Sequence, residues 1–263
     1  MKIQISLLIL CLSLGCLSPS ENSNAEIVNL APKKVEASRE TQQHQKKNPL
    51  LHLQQLSINQ DSDDYETVKK QIEFKRNQLA VNNLPIDTIS KIFKESLLNR
   101  IIPFWEGTAW SFEGHTSSPK SGKIACGYFV STTLQDIGLH VNRYKLAQQS
   151  PINEAKSLAI NVAVKEFSEG LTSDNISGIN NYLKEGIHFI GFDESHVGYI
   201  LKEKGKLYLI HSNYIGAVGV VIEPIEASEV FKSFRKFYLV ELSTNKHLLN
   251  YWLDKKNIKI IKK

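Results

Sequence analysis

The spacing of hydrophobic positions changes character along this chain. Between residues 61 and 103 apolar side chains recur at three and four positions. A first stretch opens at Asp61, Asp63 and Asp64, whose carboxylates suit a helix N-terminus, and puts Tyr65, Val68, Ile72 and Leu79 on one face. A second opens at Pro85, a favoured first-turn residue, and carries Ile86, Ile89, Phe93 and Leu97 as a stripe that Pro103 is expected to end. Neither face suffices for a core of its own, so both read as helices packed on a larger body. Residues 113–122 are too rich in Gly, Pro and Ser for helix or strand. Helical spacing returns after Cys126 with Val130, Thr133, Leu134 and Ile137, and Gly138 is placed to cap that helix. Two further helices are expected over 151–167, with Ile152, Ala155, Leu158, Ala159 and Val162, and over 175–185. From residue 187 the pattern turns to β-rich runs at 187–192, 196–201, 206–213, 218–225 and 236–242, separated by short turns. Helices followed by an antiparallel meander describe an α+β domain.

The remaining segments carry no sustained period. Lys2 precedes an apolar run from Ile3 to Leu14 that is too short to span a bilayer, so residues 1–16 read as an export signal. Residues 17–60 are dominated by Ser, Asn, Gln, Lys and Glu, with Leu50, Leu51, Leu53 and Leu56 as the one apolar cluster, and read as a flexible tether. The organisation that follows is accessory helices at 61–103, a main domain at 104–245, and a C-terminal extension at 246–263, whose basic end from Lys255 to Lys263 is expected in solvent. The net charge of +5 over 263 residues is mild and includes no Arg-rich or aromatic-interleaved patch, which argues against nucleic acid as a partner. A weakly basic surface suits an anionic wall or membrane, although solubility accounts for it equally well.

Cysteine usage narrows the chemistry. Cys11 lies inside the apolar signal and Cys16 at its end, which leaves Cys126 as the free thiol of an exported protein. A lone thiol in an oxidising compartment is either buried or used. Cys126 falls at the expected start of a helix, where unpaired amides and the macrodipole favour the nucleophilic thiolate. The competing reading is a small buried hydrophobe. Among eight histidines, His44 and His52 lie in the tether, His247 near the C-terminus, and His140 and His188 at element ends. His196 and His211 start and finish a hairpin joined through Glu203-Lys204-Gly205. With Lys204-Gly205 as a two-residue turn, His196 opposes Asn213 directly and His211 diagonally, all on one face. A thiol nucleophile needs a base, and the base needs a polar group to hold its tautomer. Cys126, His196 and either His211 or Asn213 supply that set. No H-x-x-x-H or C-x-x-C spacing points to a metal, and no cofactor is expected.

The order and wording of these segments resemble the NlpC-type papain-like cell-wall peptidases. That family has a G-T-x-Y segment, D-C-S-G-F-V opening a helix, then H-V-G-I-Y-L and a later I-H on adjacent strands. This chain has Gly107-Thr108-Ala109-Trp110, Ala125-Cys126-Gly127-Tyr128-Phe129-Val130, His196-Val197-Gly198-Tyr199-Ile200-Leu201 and Ile210-His211. The resemblance implies a papain-like fold with the cysteine helix packed on an antiparallel sheet. It further implies Cys126 as nucleophile, His196 as general base and His211 as the third polar residue, with Trp110 and Gly127 at the substrate cleft. The chain departs from the family at Ala125 and Gly127, where Asp and Ser help read the amine end of a stem peptide. Separately, Leu12-Ser13-Leu14-Gly15-Cys16 resembles the lipobox of bacterial lipoproteins, which implies lipidation of Cys16 and a membrane anchor; plain secretion is the alternative. The expected function is an exported cysteine hydrolase that cleaves an amide bond in peptidoglycan stem peptides. The alternatives are a non-catalytic binding module on the same shell and a thiol acyltransferase.

Overall fold

The structure, a computed structural model, describes residues 63–82, 84–168, 170–193 and 195–262. The expected signal, the tether, Cys11 and Cys16 lie outside the described residues.

Helix α1 (Tyr65–Val81) starts where the acidic cluster placed it, with the Asp64 side chain accepting from the Thr67 amide, and it buries Val68, Ile72 and Leu79. Its Tyr65 hydroxyl donates to Asp136 Oδ2 (2.5 Å), and the buried Arg76 donates to the Gly138 carbonyl. Helix α2 (Ile86–Glu95) buries Ile89 and Phe93. Pro103 does not end this run. A π-helical turn (Ser96–Ile101) leads into α3 (Ile102–Trp105), which holds the proline in its first turn, where no intrahelical donor is required.

Helices α4 (Cys126–Asp136), α5 (Arg143–Ala147) and α6 (Pro151–Leu158) follow. The helix expected over 151–167 stops at Leu158: Asn161 adopts φ 53°, and Lys165–Phe167 becomes strand β1. Helix α7 (Thr172–Tyr182) then precedes β2 (Gly186–Phe192), β3 (His196–Glu203), β4 (Lys206–Asn213) and β5 (Gly219–Pro224). A short α8 (Glu229–Lys232), strand β6 (Phe237–Glu241) and helix α9 (Lys246–Leu253) complete the described chain.

The fold is mixed α/β around an open, six-stranded antiparallel sheet ordered β1-β6-β2-β3-β4-β5. Strands β2 to β5 form the expected meander. β6 departs from it and crosses to the other side of β2, pairing from His188↔Glu241 to Phe192↔Phe237. Every residue of β2 is buried, and a buried strand must satisfy its backbone groups on both sides.

The sheet separates two apolar clusters. On one face Val197, Tyr199, Ile210 and Val240 pack with residues of α1, α2, α4 and α9. On the other, Ile190, Ile200, Leu209 and Leu239 pack with Ile179 of α7 and Phe231 of α8.

The C-terminal extension is anchored to the main body through its first half; of its basic end, Lys255, Lys256, Asn257, Lys259 and Lys262 are exposed and Ile258 is buried. Asn245 caps α9 by accepting from the His247 and Leu248 amides, and Leu248, Leu249 and Trp252 are buried. Trp252 meets Phe93 edge-on at 5.2 Å and donates from Nε1 to the Ile137 carbonyl (2.7 Å), while the Ile258 amide donates to the His140 carbonyl (2.8 Å). Among the described residues, no helix is long and apolar enough to cross a membrane.

Trp252→Ala should therefore cost about 3–5 kcal/mol in a denaturant titration, as expected for truncating a buried aromatic side chain. An unchanged midpoint would place α9 outside the core.

Candidate active site

Three elements converge on Cys126. The segment before it is pinned from both sides: the Ile124 amide donates to the Ala109 carbonyl (2.9 Å) and the Ala125 amide to the Gly114 carbonyl (2.8 Å). Ser212 of β4 then donates from its hydroxyl to the Ile124 carbonyl (2.7 Å). Cys126 is the first residue of α4, and Ala125 before it offers no side-chain cap, so the first-turn amides stay open.

The hairpin takes the expected form. Lys204 and Gly205 adopt φ 52° and 72°, the left-handed pair of a two-residue turn, and pairing runs from Glu203↔Lys206 to Tyr199↔Ile210. Continued, that register sets His196 opposite Asn213 and diagonal to His211. Regular pairing stops at Tyr199↔Ile210, however, and does not extend over the last residues of the site. There His196 Nε2 lies 2.8 Å from His211 Nδ1. A side chain at Gly198 would come within 2.9 Å of the His211 Cβ and 2.8 Å of the Ile210 carbonyl oxygen, so only glycine lets His211 approach this closely. Asn213 turns away and accepts from the Ile215 amide (2.8 Å). Of the two candidates for the third position, His211 is the one bonded to His196.

No hydrogen bond joins His196 to Cys126 among the described residues. The Val197 amide acts on the sulfur, and Tyr214 sits against both groups, its ring 5.3 Å from that of His196 and its phenol sensitive to Cys126. By strand alternation His196 and His211 share the face of Ile200 and Leu209, whereas α4 covers the face of Val197 and Tyr199. Thiol and imidazole therefore occupy the same end of β3, approached from different faces. Trp110 borders this end, 6.2 Å from the Tyr214 ring. Gly127 does not line an open cleft: a side chain there would meet the Ala147 carbonyl oxygen at 2.8 Å and Glu154 Oε1 at 3.1 Å.

The electrostatics overturn one expectation. Burial pushes the Cys126 thiol up to about 11, with Glu154 adding to the rise, and the amides of Val197, Gly127 and Cys126 itself only partly offset this. Burial, and then the proximity of His211, hold His196 well below the usual histidine range. The resting pair is thus a neutral thiol and a neutral imidazole.

Three residues at the site were not singled out from the sequence. Glu154 of α6 is 2% exposed, its Oε2 has no partner among the described residues, and burial raises its carboxyl well above the usual range. Its signal was its place one turn before Leu158, on the apolar stripe of the helix. Tyr214 follows directly on β4. Glu223 of β5 places Oε1 3.1 Å from His211 Nε2. His211 pairs with Val221, so Glu223, two residues on, faces the same way; the irregular link after β4 kept the hairpin parity from reaching it.

Among the described residues, no cluster of His, Cys, Asp and Glu could hold a metal ion. No protein-family model matches the chain, and no curated protein or solved structure shows a significant match to it.

Two measurements check this electrostatic picture. Alkylation of Cys126 by iodoacetamide should accelerate about tenfold per pH unit between pH 7 and 9, because only the thiolate reacts; a plateau near pH 7 would show a stabilised thiolate instead. Glu154 binds its proton more tightly in the folded state than in the unfolded chain. The stability it contributes is complete below about pH 4.3 and is lost as pH rises through its folded value. Glu154→Gln keeps the shape and should remove this loss, so that denaturant midpoints of wild type and variant diverge above neutral pH.

Proposed function

We propose that this protein is an exported thiol hydrolase that cleaves an amide bond, with peptidoglycan stem peptides as its substrate class, on a papain-like arrangement of helix and sheet. The observation that carries this reading is the 2.8 Å contact between His196 and His211 at the strand end where the Cys126 sulfur meets the Val197 amide. Thiol, imidazole and orienting group in that order match what nucleophilic catalysis by cysteine requires. The resemblance of the Cys126 and His196 segments to the NlpC-type peptidases supports the choice of substrate. Lipidation at Cys16 would hold the domain at a membrane facing the wall.

In the reaction His196 takes the thiol proton as the sulfur adds to the substrate carbonyl. The oxyanion so formed accepts from the Cys126 amide at the uncapped start of α4. His196 then passes its proton to the amine as the C–N bond breaks, which leaves a thioester on Cys126. Water gives a proton back to His196 as it attacks this thioester, the acid product leaves, and the thiol recovers its proton. Trp110 and Tyr214 flank the bound chain. A neutral resting pair suits this course, because the proton moves only when the carbonyl is in place.

The second reading, a binding module without turnover, is favoured by the thiol raised to about 11, since such a sulfur is a poor nucleophile until deprotonated.

Mass spectrometry of fragments released from purified wall material decides between them. Wild type should release peptide fragments, and Cys126→Ala and His196→Ala should each lower the rate by about a thousandfold or more. Undiminished release by both variants would end the hydrolase reading, and binding of wall material without release by wild type would establish the second. Fragments joined to an added amine would identify acyl transfer.

A further inference from the structure

We propose that Glu223 is a positioning residue: it gives the hydrogen-bond chain through His211 a fixed direction and so leaves the Nδ1 lone pair of His196 bare to act as the base. This inference rests on the reading of His196 as a base.

A neutral imidazole has one proton and one lone pair, so a contact between two imidazoles has no direction of its own. Either ring could donate across the 2.8 Å between His196 Nε2 and His211 Nδ1. If His211 donated, the proton of a neutral His196 would be forced onto Nδ1, and the ring could accept nothing from a thiol.

The far end of the chain breaks this symmetry. Burial alone would raise the Glu223 carboxyl, but hydrogen bonds from His211 and Ser228, with the proximity of His211 and Lys232 behind them, outweigh it and hold the group below the usual carboxylate range. An ionised carboxylate can only accept, which requires a proton on His211 Nε2, 3.1 Å away. A neutral His211 then offers its Nδ1 lone pair, and His196 must donate from Nε2. Because His196 is held well below its usual range, it has no second proton, and Nδ1 is its free site. That nitrogen makes no hydrogen bond among the described residues. The carboxylate thus selects the tautomer of a ring it does not touch, as outer carboxylates do for histidines at other functional sites.

Long-range proton–nitrogen correlation spectra of the histidine-labelled chain at pH 7.5 test this directly. To separate it from the question of turnover, spectra are recorded on Cys126→Ala, which keeps both rings and has no nucleophile. The expected result is a proton on Nε2 of both His196 and His211. Glu223→Gln, whose amide can donate or accept, should move His196 towards the Nδ1–H form. In chains with Cys126 intact, the same substitution should lower kcat on wall fragments about ten- to a hundredfold with KM unchanged. A His196 carrying its proton on Nδ1 in the chain with Glu223, a doubly protonated His211, or nitrogen shifts untouched by Glu223→Gln would each overturn the assignment. The first two outcomes need no change at residue 223, so a variant that fails to fold does not protect the idea.

Discussion

Everything at the candidate site depends on the β3–β4 ladder ending before its two strands do. Their pairing is regular from the turn as far as Tyr199↔Ile210 and ends there, although both strands continue to His196 and Asn213. A closed ladder would keep backbone bonded to backbone and hold the two histidines at diagonal positions, with Asn213 directly opposite His196. Beyond the ladder, Gly198 admits the His211 side chain, Ser212 holds the Ile124 carbonyl, and the Val197 amide serves the sulfur. Because α4 and the imidazoles belong to opposite faces, they can approach only where the strand runs out. Distance along β3 is therefore what makes the site; the choice of face alone would keep the partners apart.

The balance of forces on the sulfur follows from the same crowding. A helix start contributes roughly 0.3–1 kcal/mol towards a negative charge. Burial acts the other way and raises the thiol from 9.0 to about 11, so burial wins. The two carboxyls that flank the site show how local this balance is. Burial raises the carboxyl of Glu154, enclosed beneath Gly127 with an unpartnered oxygen, well above the usual range. Glu223, more exposed and bonded by His211 and Ser228, is held below it. Depth and hydrogen bonding together decide the direction here.

Much of this was legible in the sequence wherever short-range periodicity carried it. The face of α1, the start of α4 at Cys126, the hairpin and its register all follow from spacing within a dozen residues. The left-handed pair Lys204-Gly205 was enough to align His196 with the His211 side of its neighbour. What escaped was decided at a distance. The crossing of β6 to β2 depends on a buried strand needing a second partner, which no local pattern announces. The tolerance of Pro103 goes with the π turn that precedes it and sets the proline at the start of α3, which no local pattern announced. The burial of α9 was hidden by the lysines that surround it: Lys246, Lys255 and Lys256 gave the tail a basic look while Leu248, Leu249 and Trp252 face inward. Glu223 was missed because the link between β4 and β5 is irregular, with Gly216 and Ala217 in left-handed conformation, so strand parity could not be carried across it by inspection.

The attachment of α9 has a consequence for when the site can exist. The far end of the cysteine helix is fastened by Trp252 to Ile137, a bond that spans 115 positions, and the adjoining segment by Ile258 to His140. The amide of Ile261 closes in the same way on the Ser157 hydroxyl of α6, the helix that supplies Glu154. These fasteners are synthesised after every residue of the candidate site. A nascent chain that already displays Cys126, His196 and His211 still lacks the clamps on their scaffold, so the packing around the thiol cannot be complete until α9 has been made.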